Sequence, residues 1–192
     1  HPRLWLTSDR LAKLKAAIKA DPDHCSWSTF YEKSVLPWME RDLTQEPAGY
    51  PDHKRTALVW RQTYIDLQEL WYAIRHLSIG GKVTDNADMT ARAKDLLLEV
   101  ATWNPAGVTS RAYTDEWAYR VCNALAWGYD WLYDDLSPEE QKTVRASLLE
   151  RTRDIAEHAI LNAKIHLFPY DSHAVRSVSL CIVPACIALL GD

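Results

Sequence analysis

Apolar residues recur along most of the chain at spacings of three and four, the period of a helix rather than the alternation of a strand. After Ser8, a candidate cap, Leu11, Leu14, Ala17 and Ile18 keep that spacing until Asp21-Pro22 ends it. Ser26 opens a second segment with Trp27, Phe30, Tyr31, Val35 and Trp38, and Pro37 predicts a bend in it. Residues 45–54 read as a loop, marked by Pro47, Gly49 and Pro51-Asp52. A long helix over residues 56–78 carries Leu58, Trp60, Tyr64, Ile65, Leu67, Trp71, Ile74 and Leu77, and Gly80-Gly81 is expected to stop it. Residues 85–102 are amphipathic, with Met89, Ala93, Leu96, Leu97 and Val100 on one side and charges on the other. Asn104-Pro105 and Gly107 then break the chain.

Residues 114–132 are apolar over most of the helix circumference, through Trp117, Val121, Cys122, Ala124, Leu125, Trp127 and Trp131. Ser137-Pro138-Glu139-Glu140 is a clean start signal: Ser137 caps, Pro138 takes the first position and Glu140 completes a capping box. The helix it opens is heavily charged through about residue 162; a loop over residues 166–172 follows, then an apolar helix over 173–190. Apolar helices beginning near Thr56, Thr114 and His173 thus alternate with charged amphipathic ones beginning near Ser26, Asp85 and Ser137. A helix apolar on most faces must be covered on most faces, so the alternation predicts an inner and an outer layer. The fold class is all-α, built of helical hairpins. Part of an incomplete α/α toroid satisfies the pattern, and so does an open solenoid.

The chain has 192 residues, 47% hydrophobic and 25% charged, with a formal charge of -4. That excludes a disordered chain and a basic nucleic-acid binder. The longest apolar run, residues 178–190, is cut by Pro184 and falls short of the roughly 20 residues of a membrane span. Nine Trp and nine Tyr stand against two Phe, so most aromatics carry a polar handle. Such rings suit sites half apolar and half wet, carbohydrate clefts among them, as well as a Trp-rich core. Cys25, Cys122, Cys181 and Cys186 form no metal-ligand spacing. The last three lie in apolar stretches and read as buried free thiols, with one disulfide left open. A start at His1-Pro2 and an end at Gly191-Asp192 lead us to expect the N-terminal part of a longer protein.

Three stretches together resemble the heparinase II/III-like polysaccharide lyases and their dermatan-sulfate-epimerase relatives. The opening His1-Pro2-Arg3-Leu4-Trp5-Leu6-Thr7, followed by Arg10-Leu11-Ala12-Lys13-Leu14, is similar to the start of that family. Asn123-Ala124-Leu125-Ala126-Trp127-Gly128-Tyr129-Asp130-Trp131-Leu132-Tyr133 and then Leu136-Ser137-Pro138-Glu139-Glu140 resemble its mid-toroid helix and the following turn. Asp171-Ser172-His173, opening a helix that ends Ala188-Leu189-Leu190-Gly191-Asp192, resembles its active-site helix. The likeness covers the whole chain in the family's order. It implies that residues 1–192 are the first portion of a toroid domain, with the remaining toroid and β-sandwich domains beyond Asp192. It also implies a periplasmic or secreted protein acting on an anionic polysaccharide, glycosaminoglycan ahead of alginate. No nucleic-acid partner and no cofactor are expected in this segment, and any structural metal belongs to the C-terminal part.

The chemistry the resemblance implies is β-elimination at a uronic acid. A base takes the C5 proton, an acid protonates the oxygen leaving C4, and the carboxylate is neutralised so that C5 becomes acidic. His173 stands at the family's His or Asn position at the start of the active-site helix, where the dipole favours anions and a neutral imidazole. The plain alternative is a histidine capping that helix. Several relatives carry Asn before this His; here it is Ser172, which donates one hydrogen bond in place of two. Arg176, one turn on, is the natural substitute for carboxylate neutralisation, or else a partner of Asp171. The family's catalytic Tyr lies downstream and matches no residue here.

Two further clusters open the other apolar helices. Trp60, Arg61 and Tyr64 begin one, and Trp117, Tyr119 and Arg120 begin the next. Helices starting at one rim would set these groups around one mouth with His173, Arg for carboxylate or sulfate and rings for sugar faces. The competing assignment makes Trp60 and Trp117 core and pairs the arginines with Asp66, Asp115 or Glu116. Two other functions fit an α/α array. A toroid glycoside hydrolase would use carboxylates such as Asp115, Glu116 and Asp171, and a non-catalytic scaffold would need no convergent rim.

Overall fold

A computed structural model describes residues 1–162 and 175–191, with side chains of 160–162 left aside. The described residues are helical with no strand. The helices are α1 (Ser8–Ala20), α2 (Trp27–Phe30), α3 (Ala57–Thr84), α4 (Ala87–Thr102), α5 (Asp115–Leu132), α6 (Pro138–Ala156) and α7 (Val183–Ala188). Short polar side chains start the long ones. The Thr56 hydroxyl accepts the Val59 N–H at 3.3 Å, and the Asn86 carbonyl oxygen accepts the Met89 N–H at 3.1 Å. At α6 both halves of the capping box form, with Ser137 N–H to Glu140 at 2.7 Å and Glu140 N–H to the Ser137 hydroxyl at 3.3 Å. Thr7, one residue before the expected Ser8, caps α1.

Paired contacts set the helix directions. Trp117 Nε1 donates to the Trp60 carbonyl at 3.1 Å, Arg120 meets Tyr64, and Gly128 lies against Ile74, so α3 and α5 run parallel. Arg176 meets Glu116 and the Cys181 thiol meets the Tyr119 carbonyl at 3.5 Å. Further on, Arg3 bridges Asp130 and the Ala188 carbonyl, so the helix through α7 runs parallel to α5 as well. Lys94 pairs with Glu140 at 3.2 Å and Arg151 donates to the Trp103 carbonyl at 3.0 Å, so α4 and α6 form a second parallel set. The result is two layers of antiparallel hairpins, α3, α5 and α7 in one and α4 and α6 in the other. The first turns of α3 and α5 and the residues around Arg176 lie at one rim.

Among the described helices, only α5 is buried nearly all round, touching α3, α4, α6 and α7. Trp117, Leu125, Tyr129 and Leu132 fill the core from it. The expectation that α3 is covered on most faces fails over its N-terminal third, where Leu58 is 80% exposed and Ile65 lies at the surface. Nor do Gly80 and Gly81 stop α3, which runs on to Thr84 and ends at Asp85 with φ 55°. Their reason is proximity. A Cβ on Gly80 would stand 2.5 Å from Val35 Cγ1, and one on Gly81 would meet Thr90 and the Asn86 backbone. The segment expected to run as a helix from Ser26 is irregular instead. After α2 it widens into a π turn over Tyr31–Val35 and tightens into a 3₁₀ turn over Leu36–Met39, which seats Val35 under α3. The expected loop before α3 contains a 3₁₀ turn, Pro51–His53.

Cys122 and Cys181 are buried free thiols as expected, whereas Cys186 is exposed because it lies on the outer side of α7. That side carries Val175, Val183, Ile187 and Leu190. Among the described residues, no helix is long and apolar enough to cross a membrane.

Candidate functional site

The rim where α3 and α5 begin and Arg176 lies gathers a charged cluster around Glu116. Glu116 sits in the first turn of α5, where a carboxylate complements the helix dipole, and its side chain is 3% exposed. One of its oxygens pairs with Arg176 and the other lies 3.7 Å from Arg120. The Glu116 carboxylate and the Arg120 side chain are both buried, whereas the Arg176 side chain is partly exposed.

Arg120 is the organising residue. Its guanidinium lies over the Tyr64 ring, 4.5 Å from the centroid, and also donates to the Tyr64 hydroxyl. Tyr64 in turn stacks on Trp60 at 5.4 Å. The Tyr64 oxygen accepts from Arg120 and so keeps its own proton to donate. The side chain of Arg120 is 6% exposed, yet its Nε and Nη1 groups have no hydrogen-bond acceptor. One turn along the same face of α5, the Asn123 carbonyl oxygen is buried and likewise unpartnered. Buried donors without acceptors are uncommon in native proteins and mark places where a further group is received.

The sequence candidates divide on this geometry. Trp60, Tyr64, Arg120 and Arg176 come together at the rim. Arg61 is exposed on α3, about 100° around the axis from Trp60, and bonds to neither of the other arginines. Trp117 and Tyr119 do not face the mouth. Trp117 is fully buried, with its indole N–H spent on Trp60, and stacks with Tyr50 and Tyr113. Tyr119 is on the far side of α5, where burial pushes its phenol far above the ordinary value. His173 and Ser172 lie outside the described residues. Glu116 was weighed from sequence only as an arginine partner or a hydrolase acid, and its position at i-4 from Arg120 was the available signal.

A cavity of about 650 Å³ opens on another side of α3, but Asp42, Glu46, Asp66 and Glu69 line it. Four acids make it a poor seat for a polyanion. Among the described residues, no three His, Cys, Asp or Glu side chains are grouped to hold a metal ion. No protein-family model matches the chain, and no curated protein matches it.

Proposed function

We propose that this chain is the N-terminal part of a polysaccharide lyase that cleaves a uronic-acid-containing polymer by β-elimination. One observation carries the reading: the buried Nε and Nη1 groups of Arg120 have no acceptor, at a rim shared with Tyr64, Trp60 and Arg176. Arg presents a planar fork of donors matched to a carboxylate, and β-elimination needs that carboxylate neutralised. Arg120 fills this role, with Tyr64 donating to a sugar hydroxyl and Trp60 offering a ring face. His173, three residues before Arg176 in the chain, supplies the base or a hydrogen bond to the same carboxylate, as the family resemblance implies. The parallel set of three helices is one arc of the toroid in this reading. Later hairpins cover the apolar stripe of Val175, Val183, Ile187 and Leu190 and bring the acid for the leaving oxygen.

The hydrolase alternative loses ground on Glu116, whose carboxylate is buried, ion-paired with Arg176 and 3.7 Å from Arg120. Product chemistry tests the choice. The full-length protein acting on hyaluronan, chondroitin, heparan or alginate is expected to release an unsaturated sugar that absorbs in the ultraviolet. New reducing ends without that absorbance would overturn the proposal in favour of hydrolysis.

A further inference from the structure

On α3, the face that carries Trp60 and Tyr64 also carries an arginine, Arg75. Arg75 lies eleven residues beyond Tyr64, about 16 Å along the helix, and Trp60, Tyr64, Trp71 and Arg75 share one face of it. Its guanidinium stands over Trp127 at 4.5 Å, Trp71 at 5.0 Å and Trp131 at 5.9 Å. Among the described residues no carboxylate pairs with it, and its Nε is buried without an acceptor. Burial pulls its pKa below the ordinary arginine value, with only weak opposition from Tyr72. The guanidinium is half-buried among indoles that hold it in place by cation–π contact, and no acid neutralises it among the described residues.

Beside it opens a cavity of about 360 Å³, lined by Trp5, Phe30, Arg75, His76, Ile79, Trp127 and Trp131. That volume is at the lower end of the range for small-molecule sites, about 300–1,000 Å³. Trp5 is 53% exposed at its edge and holds φ at 40°, a left-handed conformation that a bulky side chain rarely adopts. The strap around it fixes that conformation. Leu6 N–H bonds the Leu4 carbonyl across Trp5, Trp131 Nε1 donates to the Leu4 carbonyl at 2.9 Å, and Arg10 donates to the Trp5 carbonyl at 3.0 Å. An exposed indole held in a strained backbone over a cavity is the pattern of a ligand clamp.

We propose that this cavity is a binding site for one anionic sugar residue, with Arg75 receiving its carboxylate or sulfate and Trp5 covering its ring. The choice of a sugar rests on the lyase reading above; the choice of an anion rests on Arg75 alone. The site lies a few sugar units along the same helix face from the Arg120 rim and grips the polymer away from the bond that breaks.

Intrinsic tryptophan fluorescence of the full chain, titrated with tetrasaccharides of hyaluronan, chondroitin sulfate and neutral cellulose, tests this. The acidic probes are expected to perturb the emission and bind, the two differing only by which anion Arg75 prefers, and the neutral probe to bind at least tenfold more weakly. Arg75→Gln is expected to lose on the order of tenfold in affinity for the acidic probes alone, with Arg75→Lys intermediate because it keeps charge without the fork. Trp5→Ala removes an exposed ring, so it keeps the fold and is expected to weaken the acidic probes severalfold. Equal binding of acidic and neutral probes, or unchanged affinity in Trp5→Ala and folded Arg75→Gln, would overturn the site; if Arg75→Gln does not fold, Trp5→Ala decides. Arg75-dependent binding by a protein that forms no unsaturated product keeps this site and removes the lyase. Unsaturated product with Arg75-independent binding does the reverse.

Discussion

The Asp130 carboxylate, near the end of α5, accepts the Leu4 N–H at 2.7 Å across 126 residues of sequence. Both of its oxygens also accept the Arg3 N–H at 2.9 Å, and the His1 ring lies 2.7 Å away and stacks on Tyr133. Burial pushes the Asp130 pKa up, and the two backbone N–H bonds oppose that. One buried acid on the central helix therefore fixes the strap that presents Trp5.

Asp130→Ala is expected to cost about 2–4 kcal/mol, since it strands two backbone donors beside a void. Urea melts give the loss, and hydrogen exchange at Leu4 shows whether the strap has come free. An unchanged melt with protected Leu4 would mean that the strap is held by its apolar contacts alone.

At Gly128, α5 packs directly against side chains of both α3 and α4. A Cβ there would stand 2.6 Å from Leu97 Cδ1 and 3.0 Å from Ile74 Cγ2. Gly128→Ala is expected to destabilise the protein by about 1–3 kcal/mol despite alanine's better helix propensity, because the neighbouring side chains must shift. A melting temperature that rises would show that the helices have slack at that crossing.

Arg151 is 4% exposed on α6 and donates to the Thr109 carbonyl at 3.0 Å and to the Trp103 carbonyl at 3.0 Å. It anchors the loop between α4 and α5. Arg151→Met fills similar space but leaves two buried carbonyls unmet, and is expected to cost about 2–4 kcal/mol in a denaturant titration. A loss under about 0.5 kcal/mol would show those carbonyls finding other donors.

The elements legible in the sequence were those set by local chemistry. Ser137, Pro138 and Glu140 announced the start of α6, and the apolar circumference of residues 114–132 announced the central helix. The common rim followed from the same pattern, because parallel apolar helices in one layer begin at one end. Gly80 and Gly81 misled because their service is close packing against Val35 and Thr90, which depends on neighbours distant in sequence. Trp117 and Arg120, one turn apart on α5, could not be told apart as core and rim, since the groups that cover them, Tyr50 on Trp117 and Tyr64 on Arg120, come from distant parts of the sequence. Arg75 and Asp130 escaped notice altogether. Each reads as an ordinary charge on a helix until the indoles and the N-terminal strap are set beside it.

His76 gives a pH dependence. Burial between Phe30 and Tyr72, with Arg75 adjacent, pulls its pKa below the ordinary value, while the Ser34 carbonyl 2.8 Å from Nδ1 opposes that. The neutral ring is the one the fold accepts. Above about pH 6.5 it is neutral in both states; as pH falls below that, the unfolded chain takes up the proton more readily and stability is lost. Urea midpoints measured from about pH 7.5 down to about pH 5 are expected to fall, with a shallower slope in His76→Phe. Identical slopes in the two proteins would assign the titration to other groups.

The central claim is that the rim of Arg120, Arg176 and His173 performs β-elimination. Its most direct measurement is the ultraviolet-absorbing product formed from acidic polysaccharide by the full-length protein and by its Arg120→Gln and His173→Ala variants. The account predicts product from the native protein and losses of about 10²–10⁴-fold in turnover in each variant, with the fold intact. Native-like product from either folded variant, or no unsaturated product from any acidic polymer, would contradict it.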